Sequence, residues 1–150
     1  MKAKNVLLAG VVSTVAVMSA SAGALAAHAS ATAKVELRHT RLGSILTSAS
    51  GLTLYEFTRD RAGEDSCVKI AQCAQAWPPL QASGKPIAGP GVKSSLLSTI
   101  RLANGTRQVT YAGHALYTYV ADSPGSTSYV GAKAFGGYWY AVSASGHTVK

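Results

Sequence analysis

The side chains of this sequence that could do chemistry are two aspartates, each five residues after a tyrosine, and one histidine. They are Tyr55 and Asp60, Tyr117 and Asp122, and His114. If the fold brings the two copies to one cleft, the two carboxylates can act as general acid and base, or bind a hard cation through oxygen. His114 is the best single candidate for contact with a metal or haem, and Asp122 is the second candidate for a metal ligand.

The same residues also have a structural interpretation that needs no substrate. A tyrosine and the aromatic residue two positions later share one face of a strand and can stack on the tryptophan of their own copy. The aspartate then ends the strand, and a glycine three residues later gives the spacing of an Asx turn. We expect this structural role, with His114 donating to the backbone of a turn. The positions concerned are Tyr55, Phe57, Asp60 and Trp77 in the first copy, and Tyr117, Tyr119, Asp122 and Trp139 in the second.

Arrangements typical of hydrolases and metal enzymes do not occur in the sequence. No serine lies in a G-x-S-x-G elbow, and no two histidines have H-x-x-x-H spacing. The sequence therefore favours a protein that is not an enzyme, although activity stays open. It predicts no cofactor, with a metal or haem as the alternative.

Cys67 and Cys73 are the only cysteines in the chain. An even number of cysteines in an exported chain indicates a disulfide. Five residues separate them, which is not the spacing of a C-x-x-C redox pair, and their counterparts in the second copy are Tyr129 and Phe135. We predict a structural disulfide that replaces an aromatic contact, with functional thiols as the alternative.

The elements that position these residues belong to an internal repeat with an offset of 62 residues. Residues 43–84 match residues 105–146 without a gap at 12 of 42 positions, mostly glycines, aromatic residues and an aspartate. One folding unit is therefore used twice. We predict an all-β fold in which two tandem antiparallel β repeats pack into one compact pseudo-twofold domain. A short helical turn is expected across the cysteines, between Ser66 and Ala76.

Alternating side chains on both sides of a glycine predict a β-hairpin in each copy, turning at residues 50–51 and 112–113. Each copy closes with a strand or extended segment around its tryptophan. In the first copy, Pro78 and Pro79 limit this segment to an edge or a non-strand piece. The predicted boundaries are a flexible or edge-strand lead at 30–42 and a single β domain at 43–150. Within it lie repeat one (43–84), a linker (85–98) and repeat two (99–147).

Residues 1–29 have the features of a signal peptide: two lysines, an apolar run and small residues of the A-x-A type. We therefore expect a secreted protein, or one located in the periplasm or cell envelope. An uncleaved anchor is the alternative, because the apolar run is just long enough to span a bilayer. No cysteine is placed for lipidation, and no later segment is apolar enough to span a membrane.

The chain carries 14 basic and 6 acidic residues, a net charge of +8. The basic residues are spread singly, without the aromatic interleaving that is typical of nucleic-acid binding. They form either a solvated surface or one that attracts anionic components of a cell envelope, such as lipid headgroups, teichoic acids or acidic polysaccharide. Tyr129, Tyr138 and Tyr140 are candidates for a carbohydrate or peptide platform.

Residues 55–60 (YEFTRD) and 117–122 (YTYVAD) both match the pattern Y-x-[FWY]-x-x-D. Together with residues 73–80 (CAQAWPPL) and 108–114 (QVTYAGH), they make the chain resemble the bacterial family of predicted secreted repeat lipoproteins with the Yx(FWY)xxD motif. The resemblance covers residues 40–147 and implies no established biochemical activity. Because the lipidation cysteine is missing, a freely secreted or periplasmic form is expected.

Two functional hypotheses follow from these observations. The first is an exported, non-enzymatic binding or envelope-associated module whose ligand is not identified. The second is a redox accessory protein that binds or delivers a metal or haem, with His114, Tyr117, Asp122 and the cysteines as contacts.

Overall fold

The computed structural model describes residues 32–150, so the predicted signal peptide lies outside the described residues. The strands are β1 (Lys34–Thr40), β2 (Gly43–Ser48), β3 (Tyr55–Phe57), β4 (Ile87–Ala88), β5 (Leu97–Arg101), β6 (Arg107–Tyr111), β7 (His114–Ala115), β8 (Ala132–Ala134), β9 (Gly137–Val142) and β10 (Thr148–Val149). One short α-helix, α1 (Cys73–Ala76), and two 3-10 turns, Cys67–Lys69 and Ser94–Leu96, complete the described elements. The predicted all-β fold with a helical turn near the cysteines is confirmed.

Each copy begins with an antiparallel hairpin, β1–β2 in the first copy and β5–β6 in the second. The first copy therefore starts within the predicted lead, before the predicted boundary at residue 43, because β1 is the counterpart of β5. β1 is not the edge strand that residues 30–42 led us to expect, because β4 pairs with it in parallel at Lys34 and Val35. β4 follows the first copy's closing segment and returns to the beginning of β1. The hairpin β1–β2 thereby gains a third strand.

The second strand of each predicted hairpin pairs only briefly with the first strand and then pairs with the other copy. In the first copy, Thr53 forms a single bridge with Thr47, and β3 then pairs with β9 of the second copy. In the second copy, β7 pairs with β6 as predicted, with Gly113 at φ +86° in the turn. A positive φ costs glycine little, which explains the glycine shared by both turns.

The two copies meet at an approximate twofold axis between Tyr55 and Tyr117. The amide of Tyr55 donates to the carbonyl of Tyr117 at 2.9 Å, and the amide of Tyr117 donates to the carbonyl of Tyr55 at 3.0 Å. This reciprocal pair places the first residue of each Y-x-[FWY]-x-x-D motif at the centre of the molecule. The predicted pseudo-twofold packing of the repeats is confirmed.

The segment after Trp77 is extended but is not a regular strand, as its prolines predicted. It is still fixed at the backbone, because Leu80 donates to the carbonyl of Leu116 and accepts from the amide of Val109, both at 2.8 Å. The first copy's closing segment therefore lies between two stretches of the second copy.

The interior contains an aliphatic cluster and an aromatic cluster. The aliphatic cluster includes Val35, Leu46, Leu54, Val109, Leu116 and Val142. The aromatic cluster includes Tyr55, Phe57, Trp77, Tyr117, Trp139 and both cysteines. Tyr55, Tyr117 and both tryptophans are thus removed from solvent, while Tyr119 is partly buried against them. Within residues 32–150, no helix has the length and apolar character needed to cross a membrane.

Candidate functional site

The two tryptophans of the repeat stack on each other at the axis, with ring centroids 4.1 Å apart and planes 3° from parallel. Phe57 stacks on the outer face of this pair against Trp139 at 4.2 Å, and Tyr119 stacks against Trp77 at 4.3 Å. The four rings form one continuous stack. Each outer ring covers the tryptophan of the other copy, so the rings alternate between the two copies along the stack.

This exchange corrects the expectation that both aromatic residues of a motif stack on the tryptophan of their own copy. Only the first tyrosine stays with its own tryptophan, and it meets the ring by its edge: Tyr55 with Trp77, and Tyr117 with Trp139, both at 5.1 Å. The aromatic residue at the third position of the first motif, Phe57, contacts the tryptophan of the second copy. It does so because β3 pairs with β9, which sets Phe57 directly opposite Trp139.

The tyrosine hydroxyls and the aspartates are exchanged between the copies in the same way. The hydroxyl of Tyr55 donates to Oδ2 of Asp122 at 2.8 Å, and the hydroxyl of Tyr117 donates to Oδ2 of Asp60 at 2.7 Å. The other oxygen of each aspartate accepts from a nearby amide, Ser66 at 2.7 Å for Asp60. Asp122 accepts from the amide of Ser123 at 3.0 Å. The predicted Asx turns to Gly63 and Gly125 are not formed, because the amides of these glycines donate to the carbonyls of Gly113 and Gly51. Each aspartate therefore binds the segment that follows it and also holds the opposite copy.

Burial sets the protonation of these groups. Burial raises the pKa of Asp60 to about 6, although hydrogen bonds from the Ser66 amide and the Tyr117 hydroxyl oppose the shift. The phenol pKa of Tyr117 is also raised, first by burial and then by the nearby Asp60 carboxylate, and that of Tyr55 by burial and then by Asp122. Both phenols therefore keep their protons and serve as hydrogen-bond donors.

The structure does not open a common cleft at the axis. Tyr55 and Tyr117 are completely buried there, and each aspartate is engaged by a tyrosine of the other copy. His114 and Asp122, the two metal candidates, have different partners. In the part of the chain that the structure describes, no three or more histidine, cysteine, aspartate or glutamate side chains are grouped to hold a metal ion.

His114 pairs with a buried carboxylate that the sequence reasoning missed. Its Nδ1 lies 2.5 Å from Oε2 of Glu56, and the Thr148 hydroxyl donates to Oε1 of Glu56 at 2.5 Å. The hydrogen bond to Glu56 is the main cause that raises the pKa of His114, while partial burial opposes it. One feature of the sequence could have indicated this pair: Glu56 is an acidic residue between the two aromatic positions of its motif, where the second copy has Thr118.

Cys67 and Cys73 form a disulfide with an S–S distance of 2.05 Å, so the predicted pair lies at bonding distance. Both cysteines are completely buried in the aromatic cluster. Their counterparts Tyr129 and Phe135 pack against the same cluster from the second copy. The bridge therefore occupies the packing role that aromatic side chains have in the other repeat.

One aromatic pair faces outward on β9. The rings of Tyr138 and Tyr140 are 5.8 Å apart and 9° from parallel, and the side chain of Tyr138 is exposed. Lys133 Nζ lies 5.7 Å from the ring centre of Tyr138, and Lys150 Nζ lies 5.6 Å from that of Tyr140. We call these four residues the tyrosine–lysine face. Tyr129, the third predicted platform residue, packs instead against Tyr119 at 4.4 Å.

Comparison with known proteins identifies the repeat. A family model described as a secreted repeat of unknown function matches residues 37–81 and 98–143, one match for each structural copy. No curated protein and no solved structure matches the chain. The two matches cover more than half of the sequence, and both contain the motif residues that exchange partners at the axis. The chain belongs to this family of secreted repeats of unknown function.

Proposed function

We propose that the chain is an exported, non-enzymatic module that binds an anionic glycan of the cell envelope. The description of its family as secreted supports export, as do the signal-peptide features of residues 1–29. The absence of an enzymatic role is supported by the use made of the motif: its tyrosines, tryptophans and aspartates hold the two copies together at a buried axis.

The observation that carries this proposal is an excess of unpaired positive charge at the surface. Among residues 32–150, every lysine and arginine except Lys34 is exposed and makes no ion pair with a carboxylate. These residues are Arg38, Arg41, Arg59, Arg61, Lys69, Lys85, Lys93, Arg101, Arg107, Lys133 and Lys150. Glu64 is the one exposed carboxylate in the same range.

The other acidic groups are neutralised or hydrogen-bonded within the fold. Glu56 faces His114, Asp60 and Asp122 accept from tyrosines, and Asp65 accepts from the amide of Val68 at 2.9 Å. Glu36 is partly exposed, but it lies 2.6 Å from the ammonium group of Lys34. A surface with many unpaired cations and almost no carboxylates attracts polyanions over distances comparable to the Debye length.

The tyrosine–lysine face is the part of this surface that suits a glycan rather than a lipid. Aromatic rings offer apolar area to sugar rings, and their hydroxyls can hydrogen-bond to sugar hydroxyls. Lys133 and Lys150 stand at this face as exposed ammonium groups that can meet carboxylates or phosphates. Glu56 lies directly opposite Tyr140 on the neighbouring strand β3, on the same face of the sheet. It is buried and paired with His114, so its charge is neutralised toward an anion.

The test is binding to immobilised polygalacturonate, with neutral dextran and anionic phosphatidylglycerol vesicles as comparisons. We expect salt-sensitive binding to polygalacturonate alone. The double variant Lys133→Gln/Lys150→Gln should lose about tenfold in affinity, a free energy of about 1.4 kcal/mol.

The matched control is Lys85→Gln/Lys93→Gln, which removes the same charge from exposed positions elsewhere. We expect this control to change the affinity less than twofold. Equal losses in both double variants would show attraction by total charge without a glycan face. Binding to vesicles in preference to polygalacturonate would replace the glycan with a lipid surface. Either result would overturn the proposal.

A further inference from the structure

An open cavity of about 490 Å³ lies between the loop after β3 and the tip of the hairpin β5–β6. Its volume is within the range of small-molecule sites, about 300–1,000 Å³. Val68, Ile100 and Leu102 provide apolar surface, while Glu64, Asp65, Lys69 and Arg101 provide charges. Oδ2 of Asp65 is buried without a hydrogen-bond partner among the described residues. We call this the hairpin cleft. It does not include the motif residues of the axis or the tyrosine–lysine face.

At the corresponding position in the second copy, an arginine side chain lies beside the loop. Arg38 pairs with Ile45 in the hairpin β1–β2, and Arg101 pairs with Arg107 in the hairpin β5–β6. Ile45 and Arg107 are 62 positions apart, which is the repeat offset. Arg38 and Arg101 therefore occupy equivalent positions in the two hairpins. The two copies differ in where these side chains go.

A Cβ placed on Gly125 would lie 3.5 Å from Nη1 of Arg38, so the guanidinium group of Arg38 lies beside that glycine. A Cβ placed on Gly63, its counterpart, would have no atom within 4 Å. Arg101 instead approaches Gly105, with its Nη2 3.8 Å from a Cβ placed there. An arginine side chain therefore occupies the space beside Gly125, whereas the equivalent space beside Gly63 is open.

The first copy also carries charges here that the second copy lacks. Glu64 and Lys69 line the hairpin cleft, whereas the residues 62 positions later are Ser126 and Gly131. Glu64 is the one exposed carboxylate side chain among the described residues, and it lines the same cavity as Lys69 and Arg101. Neither Glu64 nor Lys69 forms an ion pair with another side chain of residues 32–150. Both signs of charge are therefore available to a ligand.

We propose that the hairpin cleft binds a small zwitterionic ligand, an amino acid or short peptide with an apolar side chain. Its ammonium group is placed toward Glu64, and its carboxylate toward Lys69 and Arg101. Its side chain covers the apolar surface of the cleft. This site is independent of the glycan face and does not rest on the proposed glycan function.

The first test titrates the full-length exported protein, labelled with ¹⁵N, with leucyl-leucine and with leucine. Comparison of leucine with leucyl-leucine distinguishes a free amino acid from a peptide as the source of the ligand. We expect amide shifts at Gly63, Lys69 and Leu102. N-acetyl-leucyl-leucine and leucyl-leucine amide should each bind about tenfold more weakly than the free dipeptide. Equal binding of either derivative, or no shift in these amides with any probe, would overturn the proposal.

The second test uses Glu64→Gln and Lys69→Gln, both at exposed positions where substitution leaves packing intact. Each should weaken leucyl-leucine binding about tenfold, and the control Lys85→Gln should change it less than twofold. In addition, Glu64→Gln should equalise the affinities for the free and N-acetylated dipeptides. Unchanged binding by Glu64→Gln, with an unchanged melting temperature, would contradict the proposed contact with the ammonium group.

Discussion

Trp77 and Trp139 lie face to face, with ring centroids 4.1 Å apart, although 62 residues separate them in the chain. Each tryptophan is covered on its other face by an aromatic residue of the opposite copy. The aspartates of the motif likewise accept hydrogen bonds from tyrosines of the opposite copy. The residues of the sequence motif are therefore the ones that join the two repeats.

The stacked rings should dominate the stability of the fold. Trp139→Ala removes a completely buried ring from the centre of the stack, and we expect a loss of about 3–5 kcal/mol in the free energy of unfolding. The exposed neighbour Tyr138→Ala serves as the control and should cost less than about 1 kcal/mol. Urea unfolding followed by fluorescence and circular dichroism measures both. Similar losses in the two variants would contradict the interlocked stack.

Asp60 should make stability depend on pH between about 4 and 6. Its pKa is raised from 3.8 to about 6 in the fold, so within this window the folded state binds more protons than the unfolded state. The contribution of Asp60 to stability therefore falls as the pH rises from 4 to 6. The variant Asp60→Asn should lose this dependence, and Glu64→Gln controls for loss of one negative charge. Parallel stability curves for wild type and Asp60→Asn would contradict the shift.

His114 should stabilise the fold at low pH and lose this effect as the pH rises. Its pKa is raised by Glu56, so the ion pair is fully formed below the ordinary histidine value of 6.5 and is lost as the pH rises through the raised value. Because the His114 side chain is 39% exposed, we expect only about 0.5–1 kcal/mol between wild type and His114→Gln at pH 6. The difference should be smaller at pH 9. Thermal melts at the two pH values measure it, and an equal difference at both would refute the ion pair.

The disulfide should stabilise the loop between β3 and α1. It joins residues six positions apart in the sequence, and loop-closure entropy gives about 2 kcal/mol for a ring of this size. The double variant Cys67→Ala/Cys73→Ala should lose at least this amount, because both sulfurs are buried in the aromatic cluster. Urea unfolding of the variant and of reduced wild type measures the loss. No loss in either would show that packing alone fixes this loop.

The sequence allowed prediction of the repeat, the all-β class and the helical turn, because glycines and aromatic residues recur at fixed spacing. It did not show which copy each aromatic residue contacts, since periodicity assigns Phe57 to a face of its strand but not to a partner strand. Pairing of β3 with β9 decides that contact. Glu56 was missed for a related reason: it lies on the alternate face, and a non-local partner, His114, makes its burial tolerable.

The most direct test of the interlocked motif is a double-mutant cycle between Tyr55→Phe and Asp122→Ala, measured as free energies of unfolding. We predict a coupling energy of about 1–3 kcal/mol, because the hydroxyl of Tyr55 donates to Asp122 at 2.8 Å. The control cycle pairs Tyr55→Phe with Asp60→Ala, the aspartate of the same copy, and should be additive within about 0.5 kcal/mol. Coupling to Asp60 instead of Asp122, or additivity in both cycles, would contradict the exchange between the two repeats.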